Sequence, residues 1–239
     1  MIAGGGWAES AGMTNSLAMP TAASPAVSPV VSRGARLADA CIHVLGVTAS
    51  IAACVVLAAA MPWPVDWVPM VALGLYAVGL VAMLGCSAAY NLAAEGRRKR
   101  VLRRFDHAAI FVMIAGTYSP VSLLGLGGAW GWGVAGLVWA GALVGAGLKL
   151  CGPGRFERVA VAAYLLLGWV GIVAIVPLTA ALPALDLAFL GAGGLLYSLG
   201  VIAHVSKRMP YQNAIWHGFV LAAAACHFVV VLRLAARVS

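Results

Sequence analysis

Apolar runs of roughly 18 residues or more recur along this chain, and a stretch of that length is enough to cross a bilayer. Seven can be marked, at about 37–60, 67–93, 105–125, 129–149, 158–176, 185–205 and 212–234. Lipid offers the backbone no hydrogen-bond partners, so a spanning segment must be a helix or part of a closed barrel. Long continuous runs, rather than short alternating ones, select the helix. The expected fold is therefore all-α, a polytopic bundle of seven transmembrane helices.

Composition agrees. Of 239 residues, 63% are hydrophobic and only 9% charged, too little polar surface to cover a soluble domain. Breakers separate the runs: "MPWPVDW", "GLGGAWG", "CGPGRFE", "PLTAALP" and "SKRMPY". No long polar linker divides the chain, so residues 33–239 read as one domain. Residues 1–32, rich in Gly, Ala, Ser and Pro, read as a disordered low-complexity tail. They lack the basic start and apolar core of a signal peptide. Gly127 and Gly131, then Gly141 and Gly145, have the four-residue spacing that lets helices approach closely in lipid. The five cysteines show no CxxC spacing and read as small apolar fillers.

Basic residues orient the bundle, because cytoplasmic loops collect Lys and Arg. Arg33 and Arg36 precede the first span, and Arg97, Arg98, Lys99, Arg100, Arg103 and Arg104 lie between the second and third. Lys149, Arg155 and Arg158 flank the next loop on that side, and Lys207 and Arg208 the last. Only Arg233 and Arg237 fall on the other side. The N-terminus is expected in the cytoplasm, the C-terminus across the membrane, and the protein in a bacterial inner membrane. This bias accounts for the net charge of +8 without invoking nucleic acid.

With that topology, polar side chains gather at one depth near the cytoplasmic face. His43 opens the first span, Asp106 and His107 the third, and His217 the seventh, while His204 closes the sixth. Ser87 and Asn91 share one helix face at the end of the second span, as Asn213 and His217 do on the seventh. His227 lies deeper. Ionisable groups within a bilayer are costly and face the bundle interior, where they pair or line a site. The set predicts a polar intramembrane pocket lined by these residues.

The stretches "CSAAYN", "RRFDHAAIFVMIAGTYSP" and "PYQNAIWHGFVLAAAACHF", with "IHVLG" in the first span, resemble the bacterial hemolysin III family. That family belongs to the progestin and adipoQ receptor superfamily, and the resemblance covers about 37–234. It implies seven helices and a zinc site near the cytoplasmic face. The implied pattern is Ser-x-x-x-His on the second helix, Asp on the third and His-x-x-x-His on the seventh. It also implies a link to cytolysis or membrane lipid homeostasis, some wider relatives being hydrolases of lipid amides such as ceramides.

Carried over residue by residue, Ser87, Asp106 and His217 match, but Asn91 and Asn213 stand where two histidine ligands are expected. An amide oxygen is a poor zinc donor beside imidazole or carboxylate. The sequence therefore predicts a degenerate zinc site, with His107 or His43 as the residues able to restore the ligand count. The expected function is lipid homeostasis or lipid sensing, with a membrane lipid as partner. The alternatives are a metal-dependent lipid amide hydrolase, in which Ser87 and Asp106 would be catalytic, and a pore-forming cytolysin.

Overall fold

The computed structural model describes residues 32–152, 157–206 and 209–238. The tail expected over 1–32 lies, save for Ser32, outside the described residues, as do Arg155, Lys207, Arg208 and Ser239. Among the described residues the fold is helical, without strands: α1 Arg33–Ala60, α2 Trp67–Leu92, α3 Arg97–Pro120, α4 Gly128–Cys151, α5 Glu157–Gly168, α6 Ile175–Ala181, α7 Ala184–Val205 and α8 Gln212–Ala235. Counting α3 with the turn after it, and α5 with α6, gives seven helices long and apolar enough to cross a membrane.

Local chemistry sets the ends. Ser32 caps α1, its Oγ accepting from the Ala35 N–H at 3.1 Å. Gly96, at φ 151°, takes a backbone conformation that side chains avoid, and lets the chain reverse tightly into α3. That helix starts at Arg97, eight residues before the apolar run, so its first turns carry the basic cluster and its remainder the span. After Pro120, which has no N–H to donate, the backbone widens into a π-helical stretch over Val121–Leu126.

The fifth span is not one helix. It breaks at Gly168 into a 3₁₀ stretch, Val170–Ala174, before α6 resumes. Backbone groups freed by a break in lipid must be satisfied by other parts of the protein. Tyr118 of α3 does so: its hydroxyl donates to the Gly168 carbonyl at 2.8 Å and accepts from the Gly171 N–H at 2.7 Å.

Packing turns the bundle inside out relative to a soluble protein. Leu143, Leu148, Leu166, Val176 and Leu195 are exposed, as a lipid-facing surface requires. Trp63, Trp67, Trp130 and Trp132 are exposed at the end opposite the basic residues, the place of an interfacial aromatic belt. Helix α3 is the most buried span. Gly116 brings it against α2 so closely that a Cβ would sit 2.9 Å from the Leu75 carbonyl oxygen. Gly145 of α4 accepts the Phe111 ring, which a Cβ would meet at 2.4 Å. Gly131 and Gly141 likewise meet close neighbours, a Cβ running into the Ser122 carbonyl oxygen at the first and lying 2.8 Å from Leu167 at the second, whereas Gly127, at φ 64° with open space around it, serves the turn into α4 instead. Helix α8 returns to pack on α1 and α7, which closes the bundle.

Candidate functional site

At the basic end, α1, α2, α3 and α8 turn polar side chains towards one another. Asp39 and His43 are four residues apart on α1 and so share a face. Both are buried. His217, in the second turn of α8, reaches across to them. Its Nδ1 lies 2.8 Å from Asp39 Oδ1, and its Nε2 lies 3.4 Å from Ser87 Oγ on α2. A carboxylate only accepts, so in the neutral ring Nδ1 carries the proton and Nε2 turns its lone pair to the Ser87 hydroxyl. The His43 ring stands against that of His217, with centroids 4.2 Å apart. Its Nε2 is 3.5 Å from Asp39 Oδ1 but makes no hydrogen bond among the described residues.

Asp106 supplies the α3 wall. Its carboxyl faces the Ser87 hydroxyl, and Oδ2 lies 4.0 Å from His107 Nε2. His107 is held from behind, because the Tyr164 hydroxyl of α5 donates to its backbone carbonyl at 3.0 Å. These groups line one cavity. Ser87, Asp106, His43, His107, His204 and His217 form its polar part, and Met83, Tyr164, Tyr197, Val201 and Trp216 lie on its apolar side.

The remaining candidates lie elsewhere. Asn91 does not point into the cavity; its amide donates to the carbonyl of Ser87, one turn back, at 3.0 Å, with Ser87 Oγ at 3.4 Å. Asn213 is exposed and is not part of the cavity wall. His204 is exposed at the rim, its ring 5.0 Å from that of Trp216. His227 lies deeper, with Nε2 3.3 Å from the Leu190 carbonyl, and lines neighbouring apolar cavities.

A family model described as "Haemolysin-III related" matches residues 37–228. The chain belongs to that family. It is 36% identical over 198 residues to the Hemolysin-3 homolog of Bacillus subtilis (strain 168), covering 82% of this chain and 92% of the relative. To Hemolysin-3 of Bacillus cereus it is 33% identical over 197 residues, covering 82% and 90%.

The resemblance implies ligands from the second, third and seventh helices, yet the side chains beside His217 include Asp39 and His43 of α1 as well as Ser87 of α2. The residue that sequence reasoning missed is Asp39. Its signal was available as the Asp-x-x-x-His spacing to His43, the same four-residue criterion that joins Ser87 to Asn91. Chemically, Asp39, His217 and Ser87 form a line in which a carboxylate orients an imidazole and the imidazole faces a hydroxyl. Such a line holds a polar ligand, and it can also draw a proton from the hydroxyl.

Proposed function

We propose that this hemolysin III-family protein binds a membrane lipid and serves in membrane lipid homeostasis or lipid sensing. On this reading its basic end faces the cytoplasm of a bacterial cell and the bundle sits in the inner membrane. The observation that carries the reading is continuity. The polar cavity shares Met83, Tyr164, Tyr197, Val201 and Trp216 with an apolar cavity beneath it. That cavity in turn shares Thr117, Tyr118, Gly168, Trp169 and His227 with a third. A polar headgroup or linkage would occupy the Ser87–Asp106–His217 end, and an acyl chain would run between α3, α5 and α7. Apolar walls with a few convergent polar groups are the usual makings of a ligand site.

Lipids co-purifying with the full chain, identified by mass spectrometry, test the proposal. Val201→Trp, at the junction of the polar and apolar cavities, should lower retained lipid several-fold. Leu195→Trp, on the exposed face, should leave it unchanged. Equal retention in both variants would refute the reading.

A lipid amide hydrolase is the second reading, favoured by the Asp39–His217–Ser87 line. It predicts turnover of a fluorogenic ceramide analogue that Ser87→Ala abolishes. The word hemolysin in the relatives' names suggests a cytolysin. Beneath the polar cluster, however, the cavity walls are mainly apolar, with Met113, Ile114, Leu165, Leu178 and Leu187 among them, which supports lipid binding rather than ion conduction.

A further inference from the structure

We propose that Asp39, His43 and His217 bind a zinc-class divalent cation, with two of the three ligands supplied by α1. The inference goes beyond the lipid reading, and metal content and lipid retention are measured separately.

Three observations meet at this point. The first is geometric. Asp39 Oδ1 and one ring nitrogen of each histidine lie within 4.8 Å of one another, at 2.8 Å from Asp39 to His217 Nδ1 and 3.5 Å from Asp39 to His43 Nε2. Ligands placed about 2.0–2.1 Å from a tetrahedral zinc ion stand roughly 3.3–3.5 Å apart. Both distances from Asp39 are thus close to the spacing of ligands around one ion, and all three atoms face a common centre.

The second is the bare nitrogen. His43 is 4% exposed, and its Nε2 is aimed into the cluster without a hydrogen bond among the described residues. A buried acceptor or donor left without a partner is costly and uncommon. A cation at the centre of the cluster gives that nitrogen its partner.

The third is charge. The Asp39 carboxylate is buried on the bundle interior, and among the described residues its ion-pair partners are the two histidines alone. Buried charges are paired or coordinate metals. Two imidazoles and one carboxylate form the donor set of an open zinc site, with a fourth position left for water or a ligand. The asparagines do not fit this role: Asn91 is turned to its own helix and Asn213 is exposed.

Binding through His217 Nδ1 moves the ring proton to Nε2, with none released. Ser87 Oγ, at 3.4 Å, then accepts from Nε2. Metal-bound histidines characteristically donate their second nitrogen to such a partner. The ligand count that Asn91 and Asn213 remove is thereby restored from another helix.

The full chain, purified in detergent, loaded with zinc and dialysed, should retain about one zinc per chain by elemental analysis. Cobalt in its place should give the visible absorption of a tetrahedral site. Asp39→Asn and His43→Gln should each weaken retention at least tenfold and abolish the rise in melting temperature on adding zinc. Asp106→Asn should keep the metal. Melting curves without zinc establish that each variant folds, and the wild-type cobalt spectrum decides the matter if neither α1 variant does. Two results would overturn the proposal: wild type that retains no metal, or metal kept by Asp39→Asn and lost by Asp106→Asn. Lipid retention read on the same samples reports on the lipid proposal independently.

Discussion

His217 and Asp39 are 178 residues apart in the chain, and their side chains meet at 2.8 Å. This contact ties the first helix to the last on the inside of the bundle. It also sets which ring nitrogen of His217 faces Ser87, and so gives the polar cavity its hydrogen-bonding direction.

Asp106 faces the same cavity, with its side chain 14% exposed. Asp106→Ala removes one member of a buried charged network, a change that typically costs about 3–5 kcal/mol. Glu95 is 88% exposed in its pair with Lys99, and such surface pairs contribute little. The Asp106 variant should lose stability sharply in a detergent melt while Glu95→Ala stays near wild type. Small, equal shifts would count against a buried role for Asp106.

The opposite end carries a buried carboxylate of its own. Asp186, in the first turn of α7, is fully buried and bonded by Arg233 Nε and, at 2.8 Å, by Arg237 Nη2. Asp186→Asn removes the buried negative charge and sets an NH2 donor against one of the two guanidinium groups. We expect a loss of about 3–5 kcal/mol, larger than that of Arg237→Ala, which leaves the bond from Arg233 in place. Denaturation of both variants under the same conditions checks the order.

The distribution of basic residues predicts a cytoplasmic N-terminus and a cytoplasmic 94–104 segment, with the C-terminus across the membrane. Reporter fusions at residues 30, 98 and 239 read this directly. A cytoplasmic signal from the last fusion would be incompatible with seven crossings.

The asparagines supply a control. Asn91 turns to its own helix and Asn213 is exposed, so histidines at these positions should not replace the α1 ligands beside His217. Zinc lost in Asp39→Asn should therefore stay lost in the triple variant Asp39→Asn, Asn91→His, Asn213→His, measured as metal per chain. Recovery would mean that positions 91 and 213 can converge on His217.

Much of this architecture was legible because lipid reduces fold selection to a one-dimensional problem. Apolar length marks the spans, and the Lys and Arg bias marks their ends. The site was legible only in part. Ser87, Asp106, His43, His107, His204 and His217 could be placed at one depth by counting along helices, and the structure sets all six around one cavity. Depth does not specify direction, however. The same reckoning placed His227 deeper without showing that it faces other cavities. It gave Asn91 and Asn213 the right height without showing that one turns to its own backbone and the other is exposed. It also passed over Asp39, whose partner lies at the far end of the chain.

The sequence by itself therefore determined the class of fold, the number of crossings and the depth of each polar group. Hydropathy and residue spacing along a helix are local properties, and lipid enforces them span by span. The tertiary structure decided how each helix is turned about its axis and which helices touch. Those choices rest on close contacts such as Gly116 on Leu75 and Gly145 on Phe111, and on hydroxyls such as that of Tyr118, which satisfies a broken helix from its neighbour. Only once every helix is so turned do Asp39, His43 and His217 come together, because a side-chain contact depends on the positions of all the elements packed between its partners.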